Sequence, residues 1–298
     1  MFSQKEKLNH IRRVRQKDLS LEELRRARNV YLRAYKDLSE VCDRYHLDLM
    51  LAGGSCLGCI RHGGFIPWDD DFDVNMPRED FEKLKDVFDK ELGEKYILCC
   101  PNYKKNAKNR FAKILIKGTK WIEFGMSIND PDGLMKIDLF TMENIPNNIF
   151  FRLLKGAYCD MLMLIASGVS SLSEYKRLKR SHDEMVWVYG KLTFKQRICG
   201  KLFSFHDEQY WYDKLDFAIQ YRHKTGLVGF PTGRKHYFGE IHSADMILPL
   251  QSRQFEGAVV KVPGRTEVYL KKLYGERYME VPPEEKREKH YLVEYEIP

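Results

Sequence analysis

Apolar residues between positions 21 and 45 recur as Leu24, Ala27, Val30, Tyr31, Ala34, Leu38, Val41 and Tyr45. That is the three-and-four spacing of one buried helix face. Ser20 and Glu23 form a capping box in front of it, so the pattern predicts an amphipathic helix over 21–45. An apolar run at 47–52 predicts a strand, Gly53-Gly54-Ser55 a turn, and 56–61 a short helix that Gly63-Gly64 ends. A second strand is predicted at 72–76, and Pro77 opens the helix after it, with Glu79, Asp80 and Glu82 at its positive end. Strands follow at 96–100 and 111–116, with 121–124 as partner to the latter. Residues 129–133 read as a turn, and 137–140 as a strand with one acid between apolar neighbours.

Pro146-Asn147-Asn148 marks a change of composition. Helical, aromatic-rich patterns run over 149–167, 172–189, 194–203 and 208–221. Glycine, proline and short strand-like runs return from 226. The pattern divides the chain into an N-terminal helical segment (1–46), a core (47–145), a helical segment that could shape an acceptor cleft (146–225) and a C-terminal segment packing on the core (226–298). The fold class is α+β. Of the 298 residues, 43% are hydrophobic and 31% charged, which excludes disorder. The most apolar stretch, 161–169, is far short of the ~20 residues that span a bilayer. Seven cysteines behind a charged start with no apolar leader imply reduced thiols and a cytoplasmic place of work. The net charge of +7 suits an anionic partner but is too diffuse to argue for nucleic acid.

The chemistry concentrates between positions 53 and 73. Asp69, Asp70, Asp71 and Asp73 place four carboxylates in five positions. They repel one another unless something positive holds them, and a divalent metal is the usual holder. On a strand, Asp71 and Asp73 share a face while Phe72 points into the core. The glycines Gly53 and Gly54, with Ser55, let backbone N–H groups approach phosphate. A two-metal site for in-line phosphoryl transfer calls for a third carboxylate from a neighbouring strand. Asp138, flanked by Ile137 and Leu139, is the candidate.

These motifs resemble those of the polymerase-β-type nucleotidyltransferase fold. More narrowly, the run from Gly53 to Phe81 resembles the signature of the LicD family of phosphocholine transferases, as do the segments around Phe255-Glu256-Gly257, Tyr274-Gly275 and Val281-Pro282-Pro283. The likeness fades over 150–225. It implies a nucleotidyltransferase core with a helical insertion. It also implies transfer of phosphocholine, or a related phosphoalcohol, from CDP-choline or a similar CDP-alcohol to a sugar hydroxyl of a glycan or its lipid-linked precursor, with release of CMP. The implied ion is magnesium, with manganese as the alternative, held by Asp71, Asp73 and Asp138, the last also beside the attacking hydroxyl. Gly54 and Ser55 would touch phosphate. Ribitol- and glycerol-phosphate transfer share this core. The rival readings are nucleotidylyl transfer with release of pyrophosphate, and a non-enzymatic protein holding structural calcium.

Other side chains carry two readings each. Arg61 and His62 suit a diphosphate, yet Arg61 could pair with a surplus acid and His62 could be a structural hydrogen-bonder. Lys113 and Lys117 share a strand face that meets either phosphate or solvent. Trp68 is a wall for the base or a core aromatic. Cys56 and Cys59, with two residues between them, have no second pair at zinc spacing and read as buried thiols. Peripheral contact with a membrane follows from a lipid-linked acceptor and the positive charge.

Overall fold

The computed structural model describes residues 16–103, 108–124, 126–127, 130, 132–180, 194–287 and 290–298. Helix α1 (Leu21–Arg44) begins at the expected capping box: the Glu23 N–H donates to Ser20 Oγ, and Glu23 accepts the Ser20 N–H. Its apolar stripe, including Tyr31 and Leu38, is buried. Strand β1 is only Met50–Leu51, shorter than the apolar run predicts. The backbone before it is committed elsewhere: the Leu47 N–H donates to Cys42 O and the Asp48 N–H to Asp80 Oδ2. Leu47 and Leu49 are still buried, so apolarity marked the burial but not the pairing.

Helix α2 (Gly53–His62) starts at Gly53 rather than Cys56. Gly53-Gly54-Ser55 is its first turn, not a loop ahead of it. Gly63, at φ 67°, closes it in the left-handed conformation that glycine tolerates. Next come β2 (Asp73–Pro77), α3 (Arg78–Glu91), β3 (Tyr96–Cys99), β4 (Ala112–Ile116), β5 (Lys120–Glu123) and β6 (Lys136–Asn144). The curled mixed sheet has the order β1-β2-β6-β4-β3. β2 and β6 are parallel, and the other neighbours are antiparallel. β5 does not pair with β4 as the pattern suggests. It pairs antiparallel with β11 (Leu292–Glu296), a partner 170 residues away that local patterning could not reveal.

The two helices expected over 149–167 and 172–189 are one helix, α4 (Ile149–Arg180); positions 181–189 lie outside the described residues. Gly168 does not break it because it is a crossing point. A Cβ there would sit 2.8 Å from Gln196 O and 3.0 Å from Gly200 N, on helix α5 (Phe194–Leu202). Helix α6 (Glu208–Ile219) completes this layer, with Ile145, Leu162, Trp211 and Leu215 in its core. The chain then runs through β7 (Leu227–Gly229), α7 (His236–Gly239), β8 (Ile241–Ser243), α8 (Ala244–Ile247), the hairpin β9 (Gln251–Phe255) and β10 (Ala258–Val262), and α9 (Thr266–Tyr274). α1, α9 and the hairpin bury into the same core as the sheet, around Phe72. Arg78 ties the helical layer to it. Its guanidinium contacts Glu143 of β6 and Asp216 of α6, both nearly buried.

Candidate active site

Asp73 and Asp138 are register partners on the parallel strands β2 and β6. Lys113 of β4 is the register partner of Asp138 from the other side. The three therefore form one row across neighbouring strands, on the face opposite Val74 and Leu139, which are wholly buried. Asp71 does not lie on a strand, since β2 begins at Asp73. It stands in the segment that leads in, anchored by fully buried Phe72.

Of this row Asp73 lines a cavity of about 610 Å³, with Gly53, Gly54, Asp69 and Asp71, while Asp138 and Lys113 stand behind its wall. The N-terminus of α2 faces the acids at close range. A Cβ on Gly53 would lie 2.7 Å from Asp73 Oδ2, and one on Gly54 2.8 Å from Asp69 Oδ2. Only glycine at both places lets the helix start approach the carboxylates, and Gly53 also has φ +43°. The Gly54 N–H donates to the Asp73 carboxylate, so the positive helix end and the negative acid stabilise each other. Ser55 is buried and its Oγ accepts the Asp73 N–H at 2.9 Å. Its hydroxyl positions the acid from behind the cavity wall. Gly53 donates to Tyr269 Oη, which also accepts from Asn75 Nδ2.

Burial pushes the Asp71, Asp73 and Asp138 carboxyls above the usual carboxylate range. Asp73 adds to this for Asp71, and Asp138 for Asp73. Asp69 is raised to about 6 by burial and by Asp70, while a hydrogen bond with Asp71 pulls it back. Asp138 is raised by burial against the pull of Lys136 and Lys113. Its Oδ1 is enclosed and has no hydrogen-bond partner. A buried, unpartnered carboxylate oxygen is costly and calls for a ligand or a proton. Among the described residues no three His, Cys, Asp or Glu side chains are already gathered as an ion cage. The donor set suits a hard divalent ion all the same: oxygen donors, excess negative charge and one orphaned oxygen. Asp71, Asp73 and Asp138 could hold it.

The other anticipated residues are placed unevenly. Arg61 lines the cavity, but its Nη1 donates to Tyr278 O at 3.0 Å and Glu280 O at 3.1 Å, and its Nε to His62 Nε2 at 2.9 Å. It holds the C-terminal segment over the cavity and pairs with none of the surplus acids. His62 is exposed, outside the lining, and burial followed by Arg61 lowers its pKa. Lys113 acts on Asp138 without lining the cavity. Trp68 lines it, with the Arg287 guanidinium 4.3 Å from its ring centroid and that of Arg61 at 5.9 Å. Cys56 and Cys59 are buried and free, and burial raises both thiols.

Sequence reasoning missed His290. Its Nδ1 lies 2.9 Å from Asp70 Oδ1 and 3.9 Å from Asp71 Oδ2, and the hydrogen bond to Asp70 raises it to about 9. It also missed Arg234, Lys286 and Arg287 on the cavity wall. Nothing local signals them, because they join the cavity from more than 150 positions away.

Residues 46–153 match the family model described as LicD/FKTN/FKRP, nucleotidyltransferase domain. That stretch spans β1 to the start of α4 and contains every acid of the row, so the likeness falls on the candidate site itself. Over 268 residues, 85% of this chain and 90% of the other, the chain is 29% identical to the lipopolysaccharide cholinephosphotransferase LicD of Haemophilus influenzae. It is also 33% identical over 73 residues to an uncharacterized protein of Rickettsia typhi, covering 22% of this chain and 23% of that one.

Proposed function

We propose that this chain is a metal-dependent transferase. It moves phosphocholine from CDP-choline, or a related phosphoalcohol from its CDP ester, onto a sugar hydroxyl of a lipopolysaccharide-type glycan or its lipid-linked precursor, and releases CMP. The observation that carries the reading is the buried, unpartnered Oδ1 of Asp138 beside Asp73. The likeness to a lipopolysaccharide cholinephosphotransferase over 90% of that protein's length supports the group transferred. On this reading the strands from β1 to β6 form a polymerase-β-like nucleotidyltransferase core, and the place of work is the cytoplasmic face of a membrane.

Asp71, Asp73 and Asp138 would hold Mg²⁺ or Mn²⁺, which when bound neutralises the diphosphate and offsets charge on the leaving oxygen. The protein's own groups do the rest. Arg234, Lys286 and Arg287 on the cavity wall attract the diphosphate and fix its orientation. Ser55 and the Gly54 N–H hold Asp73 in place. On this reading the acceptor hydroxyl attacks the phosphorus distal to cytidine, and Asp138 serves as ligand or as the base that takes its proton. Lys113 and Lys136 favour the ionised form of that acid. Trp68, Tyr274 and Tyr278 give the cavity aromatic faces that suit a quaternary ammonium. The test is to incubate the protein with CDP-choline, lipopolysaccharide and Mg²⁺ and follow CMP and labelled glycan. Release of pyrophosphate from a nucleoside triphosphate, with no CMP from CDP-choline, would replace this reading with nucleotidylyl transfer.

A further inference from the structure

The first turns of α4 carry an apolar surface that the fold leaves uncovered. Phe150, Phe151, Leu153 and Leu154 are 52–62% exposed, and Tyr158 and Met161 49%. Positions 150, 154, 158 and 161 follow one helix face. No acid interrupts the helix from Ile149 to Cys159, whereas Arg152 and Lys155 fall within it. This is the reverse of a globular helix, which keeps its apolar stripe for the core. α4 does bury an opposite stripe, through Cys159, Leu162, Met163 and Ala166, so the outer one is surplus to folding.

Two neighbours extend this surface. Phe238 of α7 is 40% exposed and packs on Gly156, where a Cβ would come within 2.2 Å of its ring. Lys155 Nζ donates to Gln220 O at 2.9 Å, which draws in the chain just beyond α6. That chain bears the exposed run Arg222-His223-Lys224, with Lys224 3.8 Å from Glu79. Lys235 and Lys272 lie together next to α7, each lending its ammonium to a backbone carbonyl. Cations thus border an aromatic and aliphatic patch. That pairing fits an anionic lipid surface, where rings and aliphatic chains enter the headgroup boundary and lysine and arginine meet phosphate. No helix among the described residues is long and apolar enough to cross a membrane, so the contact would lie on the surface.

The patch is coupled to the cavity by one short segment. Gly233 and Arg234 line the cavity, and Tyr237, wholly buried, and Phe238 pack against α4 four residues on. We infer that the exposed face of α4, with Phe238, docks on the anionic surface of a bilayer and so presents the neighbouring cavity to an acceptor carried on lipid. This deepens the proposed function and rests on it for the identity of the acceptor, but the docking can be tested without any donor.

The experiment uses the full chain and sedimentation with vesicles of phosphatidylglycerol and phosphatidylcholine, compared with phosphatidylcholine alone. Binding is expected to the anionic vesicles, to weaken as salt is raised, and to fall on the order of 100-fold in the triple variant Phe150→Ser, Phe151→Ser, Leu154→Ser. These side chains are exposed, so the variant should melt like the parent and release CMP from CDP-choline onto a delipidated glycan at the parent's rate. Failure of the parent to sediment with anionic vesicles, or equal sedimentation of the variant, would overturn the docking face. So would a parent dimer in solution that the triple variant dissociates, since a second copy would then be the occupant. Loss of CMP release in both proteins with sedimentation intact would refute the proposed reaction and leave the docking face standing.

Discussion

Asp73 and Asp138 are partners in register on adjacent parallel strands, and the charge of Asp138 pushes the Asp73 carboxyl up. Their repulsion is built into the sheet. Replacing Asp138 with Asn removes one of the two charges and so their repulsion, at nearly the same side-chain size. The melting temperature without metal should hold or rise, while transfer falls by about 10³-fold or more. Calorimetry and a CMP assay on the same preparation check both halves. A variant that transfers normally would remove Asp138 from the reaction.

Metal should stabilise the protein through the same acids. Adding millimolar Mg²⁺ or Mn²⁺ should raise the melting temperature of the parent by linkage, and Asp73→Asn or Asp71→Asn should abolish the rise. EDTA should stop transfer. An equal thermal shift in the parent and both variants would place the ion elsewhere.

Acid dependence should run opposite to that of most proteins. The folded state raises Asp69 from 3.8 to about 6, and Asp71, Asp73 and Asp138 also upward. A carboxyl raised on folding binds its proton more tightly in the folded state, so its share of stability is lost as pH climbs from the unfolded to the folded value. His290, raised from 6.5 to about 9 by Asp70, has the same sign: its contribution is full below about 6.5 and lost through about 9. Metal-free protein should therefore melt progressively lower between pH 4 and 9, and Mg²⁺ should flatten the slope. Melts at several pH values, with and without Mg²⁺, decide it.

The glycine pair at the start of α2 should resist enlargement. Gly53→Ala puts a Cβ 2.7 Å from Asp73 Oδ2 at φ +43°, so both backbone strain and the displaced acid should lower activity, with a loss of stability of about 1–3 kcal/mol. Gly63→Ala has the strain alone, since a Cβ there meets nothing within 4 Å. It should lose stability while retaining more of its rate. Equal kcat losses in the two would argue against the close approach as the cause.

Arg78 should matter for the joint between layers. Arg78→Met leaves Glu143 and Asp216 without their shared guanidinium, and breaking such a buried cluster costs about 3–5 kcal/mol. Denaturant titration should show this loss, and a second transition if the helical layer then melts separately.

The sequence by itself determined the elements whose causes are local. The capping box at Ser20 and Glu23, the helix face of α1, the left-handed stop at Gly63 and the acid-bearing strands β2 and β6 all follow from short-range pattern. It also singled out Asp71, Asp73 and Asp138, because unneutralised acids beside apolar strand residues are conspicuous in one dimension. Tertiary structure decided what depends on distant partners. β5 joined β11, the Leu47 and Asp48 backbone was drawn to α1 and α3, and Gly168 became a helix crossing. Arg61 was taken up by the carbonyls of Tyr278 and Glu280 and Ser55 by the Asp73 backbone, while His290 arrived beside Asp70 from 220 positions away. Which donor meets which acceptor is set by chain closure over long loops. A pattern of neighbours along the chain carries no information about that closure.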